Sequence, residues 1–332
     1  MHPVIAQRFP SPLAAAESGG VPLAADLREV EHRLRATVSD EQDSFLGKSA
    51  FHLIEAGGKR LRPMMALLGG HFGPDPARAV DAAVIAELVH VGTLYHDDVM
   101  DEATVRHGIV TANTRWGNTV AVLLGDYLIA RAAEIGARVG PEATKLQVRT
   151  LRRLVRGQMA ETVGPAPGVD RIGHCLRVMA DKSASLFAMS VRLGAELSGA
   201  DPTVAAALER YGELLGSAFQ IADDILDIAA AETTLGKQPG TDLREGIVTL
   251  PVLYAVEDNP ALAPLVLNGP LTDDDARAEV LAVLRVSTGL ERARREATRY
   301  AERAKDVLHD LPGVPARDAL VALGDFAIGR TS

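Results

Sequence analysis

The sequence predicts a single all-α domain, and three observations carry that reading. Hydrophobic residues make up 47% of the 332-residue chain while aromatics make up only 4%, so the core has to be built from Ala, Leu and Val, which closely packed helices accommodate. Apolar residues recur at helical spacing in one segment after another, with Gly and Pro between the segments. No alternating run with hairpin signals marks a strand.

Residues 1–25 hold four prolines and lack the basic region and long apolar core of a signal peptide, so they read as a mobile tail. The helical domain runs from 26 to 332. Leu27, Val30, Leu34 and Val38 share one face of a helix over 26–38. A second element, about 47–56, ends at Gly57-Gly58, and Pro63 suits the first turn of the next helix, where its missing N–H costs nothing. Gly73-Pro74-Asp75-Pro76 then leads into an apolar helix that closes on Tyr95-His96-Asp97-Asp98-Val99-Met100-Asp101-Glu102. After a polar loop over 103–113, helices are expected at 118–139 and 142–162, broken by Gly140-Pro141. Gly164 to Gly168 ends the second of these, and helices at 174–198 and 203–229 follow. The last of them closes on Gln220-Ile221-Ala222-Asp223-Asp224-Ile225-Leu226-Asp227. A loop over 230–246 and three or four helices, one at 291–308, complete the chain.

The two acidic endings repeat one arrangement. Asp97 and Asp101 are four residues apart and share a helix face with His90, two turns earlier; Asp223 and Asp227 are spaced alike. Bare carboxylates so placed repel by roughly 0.2–0.5 kcal/mol per exposed pair, and by more when buried. A bound cation removes that cost, and a hard cation with oxygen ligands, bridging to phosphate, suits two such helices side by side. One Asp-Asp-x-x-Asp reads equally well as a solvated helix end; two copies, each closing an apolar helix, do not.

Cations are placed to match. Gly57-Gly58-Lys59-Arg60-Leu61-Arg62-Pro63 joins three of them to backbone freedom and a helix N-terminus, all of which favour an anion. Arg106 follows the first acid motif, Lys182-Ser183 lies between apolar stretches, and Gly236-Lys237 follows the second motif. Dispersed cations around metal-binding carboxylates describe a diphosphate site. The net charge of -9 argues against a nucleic-acid surface, which needs a broad basic patch. Cys175 is the lone cysteine, so no intrachain disulfide forms and a reducing compartment fits. No run reaches the roughly 18 apolar residues of a membrane span; the nearest, 120–130, is broken by Asp126. A soluble, cytoplasmic protein is expected.

From the anion-binding loop to the second acid motif, order and spacing resemble the trans-prenyl diphosphate synthases, in particular the bacterial medium- and long-chain polyprenyl group. The resemblance covers nearly everything after the tail. It implies a single large helical bundle of the isoprenoid synthase type with a central cavity, working as a homodimer. Asp97, Asp101, Asp223 and Asp227 would then hold Mg2+. Arg106, Lys182 and Lys237 would share the charge of an allylic prenyl diphosphate, while Lys59, Arg62 and His90 grip isopentenyl diphosphate. Ser183 and Gln220 would steady the allylic cation, and by family analogy the released diphosphate takes up the proton. Peripheral membrane contact would serve product release.

Two departures concern substrate affinity. The family usually carries two arginines after the first acid motif, whereas this chain reads Arg106-His107-Gly108, and Ile247 stands where many members have a lysine. If His107 faces isopentenyl diphosphate, affinity should weaken as pH rises above neutrality. Product length is expected to follow Gly92 and Thr93, five and four residues before Asp97, because the family closes its tunnel there with bulky aromatics. The small pair implies a medium- or long-chain product. The alternatives are a short-chain synthase, a partner subunit of a heteromeric enzyme, a metal phosphohydrolase prompted by His96-Asp97, and a terpene cyclase.

Overall fold

A computed structural model describes residues 12–39, 44–229 and 239–329. The chain is helical almost throughout. Helices α1 (Pro12–Ser18), α2 (Leu23–Ser39), α3 (Ser44–Glu55) and α4 (Leu61–Gly70) precede α5 (Ala79–Met100), which ends in the first acid motif. A short antiparallel pair, β1 (Val105–Arg106) and β2 (Ile109–Val110), leads through α6 (Ala112–Trp116) to α7 (Asn118–Val139) and α8 (Pro141–Val163). Next come α9 (Arg171–Met179), a π-helical turn (Ala180–Ala184), α10 (Ser185–Leu197) and α11 (Pro202–Ala229), which carries the second acid motif. The remainder is α12 (Thr241–Glu245), α13 (Leu250–Asp258), α14 (Ala263–Val266), α15 (Asp274–Arg285), α16 (Thr288–His309) and α17 (Pro315–Gly329).

Four helices form the centre: α4 packs on α5 and α10, and α10 packs on α11. Flanking them, α7 lies on α5, α8 on α7 and α10, and α16 on α11. The core is Ala, Leu, Val and Ile with few aromatics, as the composition requires. Two aromatics that are buried act as ties. Tyr95 donates its hydroxyl to the Ser49 carbonyl at 2.7 Å, joining α5 to α3, and Tyr211 donates to the Leu320 carbonyl at 2.7 Å, joining α11 to α17. The first acid motif and the second are thus anchored by different neighbours, α5 immediately before its acids and α11 about three turns before its own.

Four expectations are corrected. Residues 12–25, read as part of a mobile tail, instead form α1 and the start of α2; Ala16 and Leu23 are fully buried, with α1 packed on α17. Prolines there set helix starts rather than disorder. The loop over 103–113 holds the β1–β2 hairpin, whose turn residues His107 (φ 51°) and Gly108 (φ 81°) both lie in the left-handed region, as a two-residue hairpin turn requires. The expected single helix over 174–198 is interrupted by the π-helical turn, and 241–245 of the expected loop is helical.

Candidate active site

The anion-binding loop is shaped by backbone in the left-handed region at Gly57 (φ 80°) and Arg60 (φ 49°). Arg60 does not face solvent. It donates to Glu31 at 2.5 Å, to Glu87 at 2.6 Å and to the Ile54 carbonyl at 2.7 Å, so one of the loop's three cations is spent on holding the loop. Arg62 takes the functional position. Its guanidinium lies 4.7 Å from the Phe187 ring centroid and donates to His90 Nε2 at 3.0 Å, while its Nε meets no protein acceptor. Burial pulls its pKa down to about 10 against the opposing pull of Glu87, Asp223 and Asp97. Burial, then the charge of Arg62, holds His90 well below the usual imidazole range. The ring is therefore neutral, accepts at Nε2 and keeps its proton on Nδ1. The Lys59 ammonium lies 5.9 Å from the Phe326 ring centroid, which brings α17 to the same loop.

His107 reaches this loop through a hydrogen bond with the Gly57 backbone. Burial, and then Arg106 and Arg60, lower its pKa from 6.5, so the pH window differs from the one the sequence suggested. An imidazole whose free pKa is depressed and whose diphosphate-bound pKa is raised takes up a proton on binding between those two values. Affinity for isopentenyl diphosphate is thus expected to fall as pH rises from below about 6.5, starting on the acid side. His107→Arg should flatten the profile of KM for isopentenyl diphosphate between about pH 5.5 and 8; an unchanged profile removes His107 from that substrate.

The acids divide into three kinds. Asp97 is raised to about 6, first by burial and further by Asp101, against the stabilising charges of Lys182 and Arg106. Asp224 is raised to about 7 by burial and by Asp223, Glu161 and Asp227, with a hydrogen bond from Gln220 opposing. Asp98 is fully buried and serves as the partner of Arg106 Nε. Asp227, expected as a metal ligand, is only 3% exposed. Its Oδ2 accepts from the Asp242 backbone N–H at 3.1 Å and its carbonyl accepts from Gly240 N–H at 2.8 Å. The N–H groups at the start of α12 attract it there.

Glu161 on α8 went unrecognised in the sequence. It pairs with the Lys182 ammonium and its charge acts on both Asp97 and Asp224, so it lies between the two motifs. The signal was weak, since Glu161 stands alone in a polar helix face. Ser183 Oγ donates to Gln220 Oε1 at 2.8 Å, and Gln220 Nε2 donates to Asp224 Oδ1 at 2.9 Å, so the expected Ser183 and Gln220 are brought together in one chain. Lys237 lies outside the described residues.

The residues present fit a hard divalent cation. The charge of Glu161 acts on Asp97 of the first motif and on Asp224 of the second, and burial has already made ionisation of both acids costly. Among the described residues no three His, Cys, Asp or Glu side chains gather closely enough to hold an ion by themselves. Because both carboxyls are raised in the fold, they contribute stability that is present below their unfolded pKa and lost as pH rises through about 6 and about 7. A cation reverses that loss. Added Mg2+ should therefore raise the Tm more at about pH 8 than at about pH 5.5, and equal shifts would place the ion elsewhere.

The chain-length pair separates. A Cβ on Gly92 would lie 3.0 Å from the Gly125 carbonyl oxygen and 3.0 Å from Ile129 Cγ1, so its smallness serves the α5–α7 crossing. Thr93 is half-buried and donates to the His90 carbonyl at 2.8 Å. His96 approaches the Val122 carbonyl at 3.2 Å and Asp126 at 3.3 Å, both on α7. The phosphohydrolase reading loses its histidine.

Comparison with known proteins identifies the family. The Polyprenyl synthetase family model matches residues 43–284. The chain is 45% identical to nonaprenyl diphosphate synthase of Mycobacterium tuberculosis over 96% of its length and 94% of the relative's. It is 39% identical to heptaprenyl diphosphate synthase component 2 of Geobacillus stearothermophilus, over 92% and 95%. Among solved structures, a polyprenyl synthase of Caulobacter crescentus complexed with calcium and isoprenyl diphosphate superposes with a TM-score of 0.87 at 32% identity, covering 96% of this chain and 98% of the other. With the fold, both acid motifs and the anion-binding loop inside the matched region, the chain belongs to the polyprenyl synthetase family and is a prenyltransferase.

Proposed function

We propose that the chain is a Mg2+-dependent polyprenyl diphosphate synthase that condenses isopentenyl diphosphate, head to tail and in the trans sense, onto an allylic diphosphate. The names of the nonaprenyl and heptaprenyl relatives support a medium- or long-chain product. The observation that carries the reading is Arg62, whose charge faces both Asp97 and Asp223. It ties the anion-binding loop to the two acid motifs in one electrostatic unit, as a site for two diphosphates needs.

Asp97, Asp101 and Asp223 would hold the Mg2+. The ion, when bound, neutralises the allylic diphosphate and makes it a better leaving group. Lys182 and Arg106 offer charge-assisted hydrogen bonds to the same diphosphate, and Lys237 is the third cation assigned to it. Ionisation breaks the allylic carbon–oxygen bond and leaves a cation that has to be kept from water. Ser183 spends its proton on Gln220, so its oxygen lone pairs are free to steady that charge. Lys59, Arg62 and the Nδ1–H of neutral His90 hold isopentenyl diphosphate while its double bond attacks. The new cation then loses a proton, and the released diphosphate is the base at hand. Asp227 fastens α12 to the end of α11.

Val122 and Leu123 on α7, with Val148, Val155, Met159 and Val163 on α8, are exposed apolar residues on two adjacent helices. Such a patch supports a homodimer. Among the described residues no helix is long and apolar enough to cross a membrane; a cytoplasmic location with peripheral membrane contact for product release completes the proposal. The purified protein alone, given Mg2+, farnesyl diphosphate and labelled isopentenyl diphosphate, should yield products longer than geranylgeranyl diphosphate on chromatography. Shorter products alone would make it a short-chain synthase. No product, restored by a second polypeptide, would make it a partner subunit.

A further inference from the structure

Lys182 and Ser183 lie in the π-helical turn Ala180–Ala184. Such a turn accommodates one extra residue and is frequent at functional sites. Two glycines make room for it. A Cβ on Gly157 of α8 would lie 2.5 Å from the Lys182 backbone nitrogen, and one on Gly216 of α11 would lie 2.7 Å from Ala184 Cα. The turn is wedged between two helices that meet it backbone to backbone.

Consecutive side chains of the turn go to different partners. Lys182 pairs with Glu161 and Ser183 with Gln220, both at the diphosphate site. Asp181 is held elsewhere: its Oδ1 accepts from Arg153 Nε at 2.9 Å and its Oδ2 from Arg156 Nε at 2.7 Å. Arg153 also donates Nη1 to Glu213 Oε1 at 2.5 Å and Nη2 to the Ala180 carbonyl at 3.2 Å. One guanidinium on α8 therefore binds the turn's side chain, the turn's backbone and α11. These are charge-assisted bonds between partly buried groups, the class that fixes geometry most firmly.

We propose that Arg153 and Asp181 are positioning residues that clamp the π-helical turn to α8 and α11 and so hold Lys182 and Ser183 in the register in which both face the diphosphate site. The proposal rests on the assignment of Lys182 to the allylic diphosphate. Collapse of the turn into α-helix would rotate one flank by one residue, about 100°, and take Lys182 or Ser183 off the site. Neither clamp residue touches substrate.

Arg153→Met keeps the bulk of the side chain and removes all three contacts. Arg149→Met is the matched control, because Arg149 sits one turn earlier on α8 and pairs with Glu209 of α11, away from the turn. In Arg153→Met, hydrogen exchange of the 180–184 backbone amides should accelerate. The kcat/KM for the allylic diphosphate should fall about 100-fold, as small misplacements of catalytic groups do, while KM for isopentenyl diphosphate holds. Arg153→Lys should restore part of both, and Arg149→Met should change neither. Asp181→Asn should move the same readouts in the same direction, and it carries the test if Arg153→Met fails to fold. Unchanged exchange and kinetics in the clamp variants, or an equal loss in Arg149→Met, would overturn the proposal. Exchange is read without substrate, so if the wild type made no prenyl product the synthase reading would fall and exchange would still decide the clamp.

Discussion

Asp97→Ala and Asp223→Ala are each expected to lower turnover by about a thousandfold or more, with the helical fold intact. A metal that stabilises a leaving diphosphate contributes several kcal/mol to the barrier, and about 4 kcal/mol corresponds to that factor. Asp97 sits where burial makes its charge costly, at about 6 against an ordinary 3.8, so its removal should cost no stability in metal-free protein and should raise the Tm. Excess chelator should reproduce the loss reversibly in the wild type. Asp227→Asn is the contrasting variant, because an amide oxygen can still accept from Asp242 N–H; its activity should fall far less. Single-turnover rates and thermal melts measure both effects. Full activity in excess chelator, or in both alanine variants, would end the metal–diphosphate mechanism.

Gly92→Phe and Thr93→Phe, adjacent and of equal bulk, should behave differently. At Gly92 even a Cβ lies 3.0 Å from a backbone carbonyl of α7, and a helix pair cannot yield to a phenyl ring there without losing the packing of α5 on α7. Overpacking of this kind costs about 1–3 kcal/mol where side chains can adjust and more where backbone is struck, so little folded Gly92→Phe protein is expected. Thr93 is half-buried, and its variant should fold. If the product leaves along α5, Thr93→Phe should shift the distribution towards farnesyl or geranylgeranyl diphosphate. A well-folded Gly92→Phe protein, or an unaltered product from Thr93→Phe, would contradict these assignments, the first as to the crossing and the second as to the path.

Most of the helices were legible because their signals are local. Asn118–Val139 begins and ends where Gly and Pro place it. The hairpin was not, since its turn is His107-Gly108 where Asn-Gly or Asp-Gly would have marked it. The π-helical turn was hidden for a different reason: its sequence, Ala180 to Ala184, is ordinary helix former, and what demands it is Gly157 and Gly216 on other helices. The same holds for the site. Asp97, Arg62 and Ser183 announce themselves through motif spacing. Glu161, Glu87 and the placement of Asp227 depend on which backbone or charge lies opposite, and tertiary partners leave no local mark. Gly92 shows the limit most plainly, because a small residue widening a path and one admitting a neighbouring helix look identical in a string.

Helix α5 carries Glu87, His90, Thr93 and Asp97 on one unbroken rod, with Asp101 capping its C-terminal end. At 1.5 Å per residue, Glu87 and Asp101 are about 21 Å apart along its axis, with no Pro or π-helical turn between them. The rod is therefore a ruler: the span from the clamp of the anion-binding loop to the last acid of the first motif is set by the rise of the helix and not by a hinge. Inserting or deleting one residue anywhere in that interval would turn one end by about 100° relative to the other, so length variation is closed to it and only substitution can retune the gap between the two substrates.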